Sequence, residues 1–132
     1  MSKIGFNKRI NTERIRFYKP DVFPTKVAVM SFDDDIHVLS ELIDTPDDLE
    51  QLDHVTFGGH DKNTGENVLC VAFKTSCNVL DYVHEADHAA TAYCFVHDIS
   101  FRANDDEAHA FLAEWIFKCV CDFFSINPTN KY

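Results

Sequence analysis

The chain has 132 residues, 45% hydrophobic and 13% aromatic with twelve Phe, which is enough apolar material for one packed domain. Its formal charge of −10 is spread along the sequence and would repel a phosphate backbone, so nucleic acid is not an expected partner. No stretch approaches the ~20 consecutive apolar residues that span a bilayer, and no apolar run follows the charged residues near Met1, so neither membrane association nor a signal peptide is expected.

Residues 1–19 form a basic segment, with Lys3, Lys8, Arg9, Arg14 and Arg16, expected to be partly mobile ahead of a single domain over 20–132. Pro20 and Pro24 punctuate an extended entry into Lys26-Val27-Ala28-Val29-Met30-Ser31-Phe32, which reads as the first strand. After the turn Asp33-Asp34-Asp35, the spacing of Ile36, Leu39, Leu42 and Ile43 predicts a short helix. Thr45-Pro46-Asp47-Asp48 reads as the start of another, with Thr at the N-cap and Pro at the first position.

A hairpin comes next. Its arms are His54-Val55-Thr56-Phe57 and Asn67-Val68-Leu69-Cys70-Val71-Ala72-Phe73, with Gly58-Gly59 and Asn63-Thr64-Gly65 as turn residues. The second arm is apolar on both faces and suits a central strand; the shorter, more polar first arm suits an edge. Two helices follow, over roughly 76–96 and 105–124, the second with a broad apolar stripe from Ala108, Phe111, Leu112, Trp115, Ile116, Cys119 and Phe123. Cys70, Cys77, Cys94, Cys119 and Cys121 are odd in number, lie among apolar residues and include no Cys-x-x-Cys pair. They read as reduced core residues of a cytoplasmic protein.

The chemistry is concentrated in His84-Glu85-Ala86-Asp87-His88. On a helix, residues four apart share a face, so His84 and His88 can turn both imidazoles to one zinc ion. Glu85 lies about 100° round from His84, placed to take a proton from water on that ion without ligating it. The competing reading is a solvated helix face or a pair of core histidines. A catalytic zinc needs a third protein ligand. Glu107 is the leading candidate, although with Asn104 it also fits a capping box at the start of the last helix. Glu114 is the reserve. His109 points about 200° away from Glu107 and is assigned to the surface or to a supporting contact. Tyr93, His97 and Asp98 are candidates to orient a ligand or stabilise an oxyanion, or are simply helix-end residues. Asp87 is open to either a supporting or a surface role.

These residues resemble the zincin metallopeptidases of the gluzincin type, through His84-Glu85-x-x-His88 and the downstream Glu107-x-x-Ala110. The resemblance implies His84, His88 and Glu107 as ligands of one Zn2+ and Glu85 as general base. Phe23-Pro24-Thr25-Lys26-Val27-Ala28-Val29, the motif helix and the run from Asp106 to Trp115 are also similar to small zincin-like proteins of bacteriophages. The fold expected is α+β: a minimal zincin-like domain with a small mixed or antiparallel sheet, the motif helix and a C-terminal ligand helix. The activity implied is zinc-dependent hydrolysis of a peptide bond in a peptide or protein substrate. The alternative is a non-catalytic module in which zinc is structural or serves binding.

Overall fold

The computed structural model describes residues 14–21, 23–33, 39–97 and 106–126, with the side chain of Asp106 left aside. Four strands form one mixed sheet: β1 (Ile15–Tyr18), β2 (Lys26–Phe32), β3 (His54–His60) and β4 (Asn67–Lys74), in the order β1-β2-β4-β3. Two eighteen-residue helices follow, α1 (Val79–Val96) and α2 (Asp106–Phe123). The architecture is α+β.

The alternation of side chains along each strand divides the core into two layers. Val27, Val29, Leu69, Val71 and Phe73 pack with Tyr18 against α1 and α2. Ala28, Met30, Phe32, Val68, Cys70 and Ala72 face the opposite way, against Leu39, Ile43 and Leu49 of the segment that leads into β3. β4 is therefore covered on both faces, as its unbroken apolar run predicts, and it pairs parallel with β2 and antiparallel with β3. β3 is an edge, as its polarity predicts. The helices are antiparallel: Tyr82 near the start of α1 stacks on Phe124 just past α2, while Thr91 late in α1 meets His109 early in α2.

The structure adds one element and corrects three expectations. Within the basic N-terminal segment, 15–18 form β1, antiparallel to β2. Arg16 and the Tyr18 hydroxyl both donate to Asp122 Oδ2, at 3.2 and 2.8 Å, tying β1 to the end of α2. No α-helix starts at Thr45-Pro46. Only a 3-10 turn over Leu49–Gln51 forms, since one residue of it, Leu49, reaches the core before the chain must enter β3. Of the predicted helix over 36–43, Leu39 and Ser40 are helical and 41–43 are not, while 36–38 lie outside the described residues. Gly58 and Gly59 belong to β3, which runs on to His60, and the reversal is made by 61–66. There Gly65 adopts φ +76°, a conformation that side chains with a Cβ resist.

Gly59 has a different reason to be glycine. A Cβ there would sit 2.9 Å from Ile43 Cγ2 and 3.1 Å from the Asp44 carbonyl oxygen. Gly59→Ala is expected to cost about 1–3 kcal/mol through overpacking, read as a lower urea midpoint with an unchanged slope.

Candidate metal-binding and catalytic site

α1 begins at Val79 rather than at 76, because Asn78 makes the cap. Its side chain accepts from the N–H groups of Leu80 and Asp81, and Asp81 Oδ2 accepts from the Asn78 N–H at 2.8 Å. From this fixed start the helical repeat decides what each motif residue faces. Ala86, Ala89 and Ala90 are buried under the sheet, so α1 lies close to β3 and β4. Small residues there permit the approach.

His84 and His88 emerge together on the exposed face, with their Nε2 atoms 3.1 Å apart and ring centroids 4.6 Å apart. Two nitrogens on neighbouring corners of a tetrahedral zinc, each about 2.0 Å from it, are roughly 3.3 Å apart. The pair therefore fits two ligands of one zinc ion. Among the described residues no three His, Cys, Asp or Glu side chains converge as a metal-binding group.

Glu85 turns the other way. It is only 4% exposed, and both its oxygens have partners on β3. The Thr56 hydroxyl donates to Oε1 at 2.6 Å, and His54 Nδ1 lies 2.5 Å from Oε2. The Thr56 hydroxyl also lies 3.3 Å from the backbone oxygen of Glu85, a second acceptor for the same proton. The other His54 nitrogen, Nε2, faces Asp81 Oδ1 at 3.4 Å. His54 and Thr56 reach the helix because they alternate with Val55 and Phe57, which pack on the opposite layer.

The remaining candidates are scattered. Glu107 is exposed in the first turn of α2, and Glu114 is exposed and paired with Lys118 at 3.1 Å. The same outer stripe of α2 carries exposed Phe111 and Lys118. The face that turns to α1 instead carries His109, whose Nε2 lies 3.1 Å from Thr91 Oγ1 and 3.4 Å from Asp87 Oδ1. Asp98 lies outside the described residues, and so does Asn104, the cap of the proposed capping box. Tyr93 and His97 stand at the far end of α1. The Tyr93 hydroxyl donates to the Thr25 carbonyl at 2.8 Å, and burial pushes it up to about 12. His97 Nε2 lies 2.9 Å from Thr25 Oγ1.

Sequence reasoning missed His54, Thr56 and Asp81. The alternation of His54 and Thr56 with apolar neighbours marks their shared face, but nothing local says that this face meets Glu85.

β3 and α1 run in the same direction, since His54 and Thr56 lie by Asp81 and Glu85 while Gly58, Gly59 and His60 lie near Tyr93, Val96 and His97. Between those later residues is a groove of about 270 Å³, floored by Val68 and Leu69. It continues the seam on which the motif lies. Burial pushes the Cys70, Cys94, Cys119 and Cys121 thiols up, and Cys77 to about 11, which disfavours the thiolate needed for metal binding.

No family model, no curated protein and no solved structure matches this chain. No helix among the described residues is long and apolar enough to cross a membrane.

Proposed function

We propose that this chain is a zinc-dependent metallopeptidase of the zincin type, with His84 and His88 as zinc ligands and Glu85 as general base. The observation that carries the reading is the close pair of Nε2 atoms on an exposed helix face, with a buried carboxylate one residue on, beside an edge strand. Zinc bound there would polarise a substrate carbonyl and activate water for attack. Glu85 takes the proton from the water as its oxygen attacks the carbonyl carbon. It then gives that proton to the amide nitrogen as the C–N bond breaks. For this, Oε1 must be released, and Thr56 can turn its hydroxyl to the Glu85 backbone oxygen instead.

Among the described residues no strand pairs with the outer edge of β3, and such an edge suits an extended peptide added as a further strand. A side chain one or two residues from the reacting bond would then reach the groove at Gly58, whose missing side chain keeps it open. A Cβ at Gly58 meets nothing within 4 Å. Gly58→Leu is therefore expected to fold normally and to raise KM about tenfold for peptides with a large apolar residue there. Steady-state kinetics with Ala- and Leu-containing peptides would show it, and an equal effect on both would count against the groove.

A second reading is favoured by the two partners that hold Glu85: a non-catalytic module in which zinc joins the elements of the fold. Zinc analysis of untagged protein, combined with a proteome-wide cleavage profile of wild type and Glu85→Gln, tests both. Stoichiometric zinc with cleavage lost in the variant supports the peptidase. A chelator-induced drop in Tm with no cleavage supports the module, and a stable metal-free protein sinks both.

A further inference from the structure

Metal-ligating histidines usually present their second ring nitrogen to a carboxylate or carbonyl, which fixes the ring and its tautomer. His54 has half of that arrangement already. Its Nδ1 lies 2.5 Å from Glu85 Oε2, and its ring centroid is 5.5 Å from that of His84, which is 4.6 Å from that of His88. Imidazoles on neighbouring corners of a tetrahedral zinc, with Zn–N near 2.0 Å, have ring centres on the order of 5 Å apart. Both spacings are close to that value.

We infer that His54, carried by the edge strand, is the third protein ligand of the metal held by His84 and His88, with Glu85 Oε2 orienting it through Nδ1. The inference rests on reading His84 and His88 as zinc ligands, and it replaces Glu107 in that set. Glu107 lies on the exposed stripe of α2, whereas His54 is already beside His84. As the side chains stand, His54 Nε2 faces Asp81 Oδ1 at 3.4 Å instead of the histidine pair. That is longer than a good hydrogen bond. Asp81 keeps its other partner, the Asn78 N–H, when His54 leaves it. Closing the site is thus a side-chain exchange at His54 Nε2, from Asp81 to the ion. The two oxygens of Glu85 then have separate duties: Oε2 holds His54, and Oε1 is the one that Thr56 releases. Three neutral imidazoles leave a fourth position for substrate or water, as a catalytic zinc requires.

The test is zinc affinity by competition with a chromophoric chelator, for wild type, His54→Phe and Glu107→Gln. Phe suits the first position of an edge strand and can keep the stacking that His54 makes on Phe73 at 6.5 Å. The expected result is affinity lower by about 100-fold or more in His54→Phe and within about twofold of wild type in Glu107→Gln. The reverse pattern overturns the role of His54 and leaves the zinc reading intact. A wild type that binds no zinc overturns both. Should His54→Phe fail to fold, nitrogen-15 NMR of the wild-type imidazoles on zinc addition decides. The Nε2 resonances of His54, His84 and His88 all shift if the inference holds; an unchanged His54 overturns it.

Discussion

Glu85→Gln is expected to retain about one zinc per chain while peptide hydrolysis falls by about 100- to 10,000-fold, the usual contribution of a positioned general base. Gln keeps the shape of the side chain and can satisfy both β3 partners. Its oxygen can accept from His54 Nδ1, and its amide can donate to the Thr56 hydroxyl, which turns to the backbone oxygen at 3.3 Å. The fold and the orientation of His54 are thereby preserved, and only the basic oxygen is lost. Any weakening of zinc binding stays too small to empty the site at micromolar protein, because zinc sites of this kind bind with about 10 kcal/mol or more. Glu85→Ala would be a poorer probe, since it leaves His54 and Thr56 without their acceptor in a buried place. The assay is turnover and bound zinc measured on the same samples, and a Gln variant with wild-type turnover would remove Glu85 from the chemistry.

Lys26→Met is expected to be the most damaging change to stability, by about 3–5 kcal/mol, the usual cost of stranding a buried charge. Lys26 Nζ lies 2.9 Å from Asp61 Oδ2, and Asp61 is 1% exposed. A further contact to Glu66 Oε1 at 3.1 Å and the Phe17 ring 4.9 Å from Nζ complete the surroundings of the ammonium. Met matches the length of Lys but leaves the buried Asp61 carboxylate without its cation, held by the Asn63 N–H at 2.9 Å and the Thr64 hydroxyl. Urea and thermal unfolding would read the loss, as a fall in Tm on the order of 10 °C. The double change Lys26→Met with Asp61→Leu should recover part of it, because an apolar pair strands no charge.

The same pair gives the protein a defined response to acid. Burial alone would raise the Asp61 carboxyl, but the Lys26 ammonium and the Asn63 N–H outweigh it and hold it below the ordinary 3.8. A carboxyl lowered by folding contributes stability that is complete above its unfolded value and is lost as pH falls through its folded one. The loss therefore lies on the acid side of pH 3.8, and Asp61→Asn should flatten stability against pH there. Glu66 shifts the same way, through the Lys26 hydrogen bond first.

The reach of the sequence can be judged residue by residue. Helical spacing alone brings His84 and His88 to one face, because an i, i+4 pair is a property of the helix and of nothing else. Strand alternation likewise assigns β4 to the centre and β3 to an edge, since burial on both faces demands an unbroken apolar run. The turn at Asn63-Thr64-Gly65 follows from the positive φ that Gly65 supplies.

What lies between elements was not legible in the same way. Arg14-Ile15-Arg16-Phe17-Tyr18 falls in the segment whose composition marks it only as basic, yet 15–18 become β1 because β2 offers a ladder and Asp122, 104 residues from Tyr18, accepts its hydroxyl. Glu107 and His109 are two residues apart on one helix, and only the packing of α2 on α1 makes His109 the inward one. The environment of Glu85 is the sharpest case. Its sequence neighbours place it a third of a turn from His84, but its partners come from a strand 29 and 31 residues earlier, in a register that the two-layer core fixes. Local periodicity determines which way a side chain points from its own element; long-range packing determines what it meets there. For this protein the first gave a histidine pair, and the second gave that pair a buried, doubly held carboxylate and a third imidazole beside it.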